Sequence, residues 1–568
     1  MKLDKDIFIG IFICALVLFG WDPLCRYMGW VSEPQPAAAV QTTAAPEAKP
    51  AVADKKETSV KKEVNAVPVV NQETAELKKL PAIEIANSKL VFSIDQNNGD
   101  VAKITLKDYQ NSKRDGNVVL DTRLRNGGSL PGAFGVFSAK EQWKTVAVVK
   151  AEKNGDSVKL VRKIVSKSFP QGILIEQNWK IGDQYAANYN VKFINNTKEY
   201  ASLDAVVTGG DLAPWQYASG DKVRIPTHRL DYFTVNGDFE DIKADAKDSK
   251  FFRDPAPQVD WAAVGNKYFC SIIDSSESFT LWQGRSYVKS GDDSLPAIAV
   301  GAKLKAFELA PGEVKSFDFK LYNGPKIISQ LDAFNPSTGR VMHLAWGPLD
   351  YLARLLLWVL VKFHDILHSY GWSIICLTIV VRLLFYPVTA KANSSMKKMQ
   401  QVQPQLKELR DKYKDNPQLL NTKMMELYRK EGVNPFGGCL PILLQIPVFF
   451  ALYATLDGAV ELRQVAFWWS KDLAAADTVA KIPLYFFDLP INPLVLAMTL
   501  LMAIQQRMTP MSGDPMQKKM MMMMPAFMLI FLYDLPSGLT LYWTVSNLFS
   551  IIQLKLQQRA STTSVATK

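Results

Sequence analysis

The stretch WSIICLTIVVRLLFYPVTA, residues 372–390, decides the fold: it is 19 residues long and carries one charge, Arg382. An α-helix needs about 20 apolar residues to cross a hydrocarbon core ~30 Å thick. Arg382 lies ten residues beyond Trp372, about 15 Å along the axis at 1.5 Å per residue. An arginine at mid-span costs roughly 2.5–3.5 kcal/mol even on the lenient insertion scale. It must therefore be paired, snorkel to an interface, or face water. Pairing is disfavoured because no Asp or Glu lies inside any of the apolar stretches described next; Asp457, Glu461 and Asp534 all flank them. Snorkelling from mid-helix is only partial. The expectation is an arginine facing water in a cavity open to the cytoplasm.

Four more apolar stretches follow: GGCLPILLQIPVFFALYATL (437–456), INPLVLAMTLLMAIQQ (491–506), MMMMMPAFMLIFLY (520–533) and GLTLYWTVSNLFSIIQL (538–554). Near the start, IFIGIFICALVLFGW (7–21) carries no charge and lacks an evident small-residue cleavage site, so it reads as an uncleaved anchor rather than a signal peptide. That makes six spans. Lys and Arg in short loops set their orientation. Residues 391–434 hold ten basic and five acidic residues, whereas 457–489 hold three basic and five acidic. Both termini are expected on the cytoplasmic side. GPLDYLARLLLWVLVKFHDILHSY (347–370) is apolar but interrupted by Arg354, Lys362, Asp365 and two histidines, which suits a helix lying in the interface.

Between the anchor and this core the texture differs twice. Residues 29–84 are rich in Ala, Pro and Lys and read as a flexible linker. Residues 85–335 show short alternating runs such as LVFSID and VAKITL joined through Asn97-Asn98-Gly99, a hairpin signal. One large antiparallel β-sandwich is expected there, with a structural or docking role. The resulting division is an anchor (1–28), the linker, the β-domain, an interfacial helix (336–371), a second span (372–390), a cytoplasmic helical hairpin (391–434), spans three to six (435–560) and a tail (561–568). In the hairpin, Met396, Met399, Val402, Leu406, Leu409 and Tyr413 recur at 3-3-4-3-4, a coiled-coil seam. Leu420, Met424 and Leu427 continue it after Asn416-Pro417.

The chain has 568 residues, 48% of them hydrophobic, and a net charge of +11. These values exclude a disordered, collagen-like or disulfide-rich chain. Its five cysteines are odd in number and mostly at spans, so a structural disulfide is not expected. His364 and His368 stand at i and i+4 like a zinc-protease pair, but the Asp365 between them is shorter than the usual Glu and a third ligand is not obvious. No phosphate-binding glycine loop is present in the sequence. An enzyme is therefore not expected. Polar side chains that could line a cavity around Arg382 are Thr378, Gln445, Thr499, Gln505, Thr544, Ser546 and Asn547, with Tyr542 and Trp543 as amphipathic rings. The Met520–Met524 run could repack against varied apolar surfaces. A secondary transporter or channel for an anionic solute is the alternative reading, although no internal repeat pairs the spans.

The segments NPFGGCLPILLQIPVFFALY (434–453), IVVRLLFYP (379–387), DPMQKKMM (514–521) and LPSGLTLYWTVSNL (535–548) resemble the YidC family of membrane insertases, the bacterial branch of a family shared with mitochondria and chloroplasts. The resemblance covers about 345–560, and the preceding anchor, linker and β-domain resemble the six-span Gram-negative form. It implies a polytopic α-helical membrane protein of six transmembrane helices, with a five-helix insertase core and a large periplasmic antiparallel β-sandwich, in the inner membrane. The implied activity is insertion and folding of inner-membrane proteins through a hydrophilic groove, with no cofactor and no nucleotide hydrolysis. The implied partners are nascent inner-membrane proteins, the Sec translocon and its accessory subunits, the ribosome, through the hairpin and tail, and the phospholipid bilayer. By the same resemblance Arg382 attracts the acidic or polar flank of a substrate, and Thr378, Gln505, Tyr542 and Trp543 fall at groove or contact positions. The family more often has tyrosine where Trp543 stands. The stretches around 442–456 and 520–533, with Phe449, Phe450, Met520, Met521 and Met524, match its apolar slide.

Overall fold

A computed structural model describes residues 80–111, 114–121, 133–138, 140–212, 229–243, 256–290, 293–414, 416–433, 440–483, 488–509 and 515–566. The expected anchor and nearly all of the linker lie outside these residues. The described chain forms two compact units, one of strands and one of helices from Gly324 onward.

The strand unit opens with four antiparallel strands, β1 (Ile83–Ala86), β2 (Leu90–Asp95), β3 (Asp100–Gln110) and β4 (Asn117–Asp121). Leu90, Phe92 and Ile94 alternate inward along β2, the period of two that a half-buried strand requires. The expected Asn-Gly turn joins β2 to β3. Gly99 sits at φ +64° and donates its N–H to the Asp95 carbonyl at 2.8 Å, while the Asp95 carboxylate accepts the Asn97 N–H at 2.8 Å. A second, larger sheet follows, in which Ser157–Val165, Ile173–Ile181, Ala186–Ile194 and Val314–Pro325 pair successively antiparallel. Trp179, Trp261, Tyr189, Phe193 and Phe269 are fully buried in this β-rich, sandwich-like unit. Arg162 is buried in its core and donates to Gln177 Oε1 at 3.0 Å and Thr145 Oγ1 at 2.6 Å. Gln177 in turn donates to the Gly99 carbonyl at 2.5 Å, so the network ties the first hairpin to the larger sheet.

The helical unit begins with α1 (Ile328–Phe334) and α2 (Pro348–Leu367). Leu349, Ala353, Leu356, Leu357 and Leu360 form the buried stripe of α2, while Trp358 and Ile366 stay exposed. The two histidines of the zinc-like pattern part company. The His364 ring stacks on Tyr370 at 3.8 Å, and His368 ends the helix at φ +52°. Then come α3 (Tyr370–Leu384), α4 (Tyr386–Gln401), α5 (Gln403–Lys412), α6 (Pro417–Lys430), α7 (Leu440–Gly458), α8 (Pro493–Met508), α9 (Pro515–Phe531) and α10 (Ser537–Ala566).

The helix expected over 372–390 is broken at Phe385, and α3 and α4 meet at 59°. Pro387 supplies the reason. It has no N–H for the preceding turn and disfavours helical backbone at Tyr386. Among the described residues no single helix is long and apolar enough to cross a membrane, whereas the bent pair α3 and α4 is, taken together. The hairpin seam forms between α5 and α6, where Val402, Leu406 and Val433 bury against Met399, Met424, Leu427 and Tyr428. Asn416 starts α6 by accepting the Leu419 N–H at 3.1 Å, as an N-cap should.

Candidate functional site

Arg382 is placed by α3, whose buried face (Gly371, Ser373, Ile374, Leu377, Thr378) packs into the helical core and carries the arginine one turn beyond it. Its guanidinium meets α10. Nε donates to Ser546 Oγ at 2.6 Å, and Nη2 reaches the same oxygen. Among the described residues no carboxylate forms an ion pair with it. Tyr542, one turn before Ser546 and fully buried, lies within electrostatic reach of the guanidinium. Its hydroxyl accepts a hydrogen bond from Gln445 Nε2 at 3.2 Å. Residues from α3, α7 and α10, distant in sequence, thus form one polar cluster: Arg382, Ser546, Tyr542 and Gln445.

The other polar residues divide by where their hydrogen bonds go. Thr378 is buried and donates to its own helix at the Ile374 carbonyl, 2.7 Å away. Asn547 is buried and ties α10 to α8 through the Met498 carbonyl at 3.3 Å. Thr499 bonds back to Val495 at 2.8 Å and Thr544 to Thr540 at 2.7 Å. Asn547 thus joins two helices, as polar residues between helices in lipid do, whereas the three threonines bond within their own helices. Gln505 is half-buried, and its carbonyl accepts the Thr509 hydroxyl at 2.8 Å.

Beside the polar cluster lies an aromatic face. Trp543 stacks on Phe449 with ring centroids 4.7 Å apart and 12° between planes. Phe449 also touches Phe450 and Tyr453. Of the residues suggested as a slide, Phe450 on α7 and Met524 on α9 are exposed, as is Phe527, and Phe449 is half-buried. The side chains of Met520 and Met521 lie outside the described ones.

One end of the cluster is closed by the described residues of the segment after α7, 459–492. Gly371 at the start of α3 abuts Phe467 so closely that a Cβ there would collide with the ring. The first N–H groups of α10 are taken up by this segment: Ser537 donates to the Ala475 carbonyl at 2.7 Å and Gly538 to that of Leu473 at 2.9 Å. Asp472 accepts the N–H groups of Gln464 and Ala474 at 2.8 and 2.9 Å. Asp477, 2% exposed, accepts the Leu494 N–H at 2.7 Å and the Trp469 indole at 2.8 Å. Helices α3, α8 and α10 are therefore fastened at one end by a cap whose interior (Leu462, Phe467, Leu473, Leu535, Leu539) is apolar. Helix starts leave orphan N–H groups, but which distant carbonyl or carboxylate takes them has no local signature.

Comparison with known proteins agrees with this architecture. The family model described as YidC periplasmic domain matches residues 82–359, and the one described as 60Kd inner membrane protein matches residues 362–564. A membrane protein insertase YidC of Herminiimonas arsenicoxydans is 31% identical over 97% of each chain. One from Janthinobacterium sp. (strain Marseille) is 43% identical over 257 residues, so the match spans about half of that relative, 45% of each chain. A solved structure titled as an active YidC insertase with its first transmembrane domain resolved is 18% identical, covering 85% of this chain and 93% of that one, with a TM-score of 0.35. The two family models adjoin without overlap, and the longest alignments run nearly end to end. This chain belongs to the YidC family of membrane protein insertases.

Proposed function

We propose that the cluster around Arg382 is the point at which this insertase receives the hydrophilic segment of an incoming inner-membrane protein. The carrying observation is that a guanidinium deep in the helical unit is held by one neutral hydroxyl, that of Ser546, and by no carboxylate among the described residues. A fixed carboxylate would hold the charge permanently. A hydroxyl brings no opposite charge, so it is a weaker partner that an incoming carboxylate, which adds ionic attraction and can take the guanidinium bidentately, can displace.

The apolar cap over one end leaves the opposite end as the way in. In the orientation drawn from loop charges, the cap lies on the periplasmic side and the open end faces the cytoplasm. The six-span arrangement, with the β-domain outside, follows the same reading. A polar stop part-way through the bilayer shortens the apolar distance a hydrophilic segment must cross. The membrane potential assists an acidic segment by about 2.3 kcal/mol per charge per 100 mV. The exposed face of Phe450, Met524 and Phe527 then offers the cargo's apolar helix a surface that leads into lipid. The segment 391–434 that contains the α5–α6 hairpin, with ten basic and five acidic residues, suits contact with ribosomal RNA or anionic headgroups. Cooperation with the Sec translocon belongs to the same reading.

The test is complementation in cells depleted of their own insertase, following a small two-span cargo whose translocated segment carries either aspartates or asparagines. Arg382→Ala slows the aspartate cargo selectively, and Arg382→Lys retains much of the rate. Equal insertion of both cargoes by the alanine variant would refute the assignment.

A further inference from the structure

Among the described residues, Arg382–Ser546 and two further polar contacts join the α3–α4 segment to α10, and these three have the same separation of 164 residues. Gln553 Nε2 donates to Thr389 Oγ1 at 3.2 Å, and Asn393 Nδ2 donates to Gln557 Oε1 at 3.2 Å. An equal offset at three successive points means that the two segments run parallel in one register, and it persists across the bend at Phe385. The rungs fall seven and then four residues apart on each side, close to whole turns at 3.6 residues per turn, so they share one face. Two of the rungs lie beyond the cluster, toward the end opposite the cap.

We propose that the Thr389–Gln553 and Asn393–Gln557 rungs are positioning residues for Arg382: they fix the register that sets Ser546, and not its neighbour one turn on, against the guanidinium. This inference rests on Arg382 being the cargo-receiving group. The neighbour matters because it is also a serine. Ser550 lies one turn beyond Ser546 and is buried, donating to the Ser546 carbonyl at 3.0 Å. A slip of one turn, about 5.4 Å, would offer Arg382 a chemically equivalent hydroxyl while removing it from Tyr542 and Gln445. Apolar seams tolerate such slips, whereas a polar pair between helices specifies register, as buried Asn does in coiled coils. Neutral rungs do this without adding a second charge to the seam.

The experiment uses the full-length protein in depleted cells with the same aspartate and asparagine cargoes. Thr389→Val combined with Gln553→Leu removes one rung while keeping side-chain size. The expected result is an about fivefold slower aspartate cargo, the equivalent of one lost hydrogen bond, with the asparagine cargo unaffected. Combining these changes with Arg382→Ala should be no worse than Arg382→Ala alone, because groups acting through one another are not additive. Multiplicative losses, equal losses on both cargoes, or full activity of the rung variant beside a defective Arg382→Ala would each overturn the proposal. An Arg382→Ala protein that is normal on aspartate cargo instead overturns the reading of Arg382, and this inference with it. Should the double variant fail to accumulate, Gln557→Leu decides: a cargo-selective loss supports the ladder, and an unselective or absent loss overturns it. Thr389→Ser keeps the hydroxyl and should rescue the selectivity that Thr389→Val loses.

Discussion

Asp477→Ala should destabilise the helical unit by about 1–3 kcal/mol, and the size follows mainly from one buried hydrogen bond. The carboxylate is 2% exposed and accepts both the Leu494 N–H at 2.7 Å and the Trp469 indole N–H at 2.8 Å. Helix α8 has no other cap, since the Asn492 side chain makes no capping bond and its first turn has no acidic residue. Truncation strands a buried backbone donor, at a cost of about 1–3 kcal/mol. The measured range for losing a helix cap, about 0.5–2 kcal/mol, describes this same bond. Trp469 is exposed enough to find water, so its bond adds little. Asp477→Asn keeps an acceptor oxygen and loses mainly the charge at the helix start, about 0.3–1 kcal/mol. At roughly 2–4 °C per kcal/mol for a unit of this size, Ala lowers the midpoint by about 2–12 °C and Asn by only about 1–4 °C. The assay is thermal unfolding of the purified protein in detergent, followed by far-ultraviolet circular dichroism. An alanine variant unfolding with wild type, or an asparagine variant as damaged as alanine, would refute the reasoning.

Further expectations concern both units. Gly99→Ala meets two obstacles, a left-handed φ of +64° and collision with Gln177 and Arg162. It should cost at least about 2 kcal/mol, from left-handed strain plus disruption of a buried network, read as a lower urea midpoint of the strand unit. Trp543→Tyr keeps a ring over Phe449 and should leave insertion nearly intact, whereas Trp543→Ala should slow it measurably; aromatic pairs contribute about 0.5–1.5 kcal/mol beyond burial. Burial pushes the Glu176 carboxyl up, but hydrogen bonds from Lys159 and Asn178 and the charges of Lys159 and Lys192 outweigh it and hold it below its ordinary 4.5. A depressed acid stabilises fully above its unfolded value and loses that contribution as pH falls through its folded value. Unfolding midpoints of wild type should therefore converge on those of Glu176→Gln only below pH 4.5; a constant difference at every pH would contradict this.

Features governed by nearby residues were legible in the chain. The Asn97–Gly99 hairpin needs only a residue that accepts positive φ, and the α5–α6 seam needs only its apolar period. Arg382 stood out because charge is rare in an apolar run. Its partner did not. Ser546 was one of several hydroxyls in the neighbouring stretches, and only the parallel register of α10 against α3 and α4 selects it. Thr378 and Asn547 are polar by type, but only the structure shows that both are buried and bonded to backbone carbonyls, because polar type alone does not reveal which face of a helix a residue occupies. The bend at Phe385 was written in Tyr386-Pro387, but the apolar run overrode that signal. The cap was illegible, since Asp472 and Asp477 act on helices that begin up to 65 residues away.

The central claim is that cargo meets the protein at Arg382. It is tested most directly by placing a photo-crosslinking residue at 378, 382, 445, 505 or 542 and stalling an acidic-flanked cargo during insertion. The account predicts cargo adducts at 382, 445 and 542, the polar cluster, and adducts that disappear when the cargo is released. Adducts absent from these three positions while exposed sites such as 530 are labelled would contradict it.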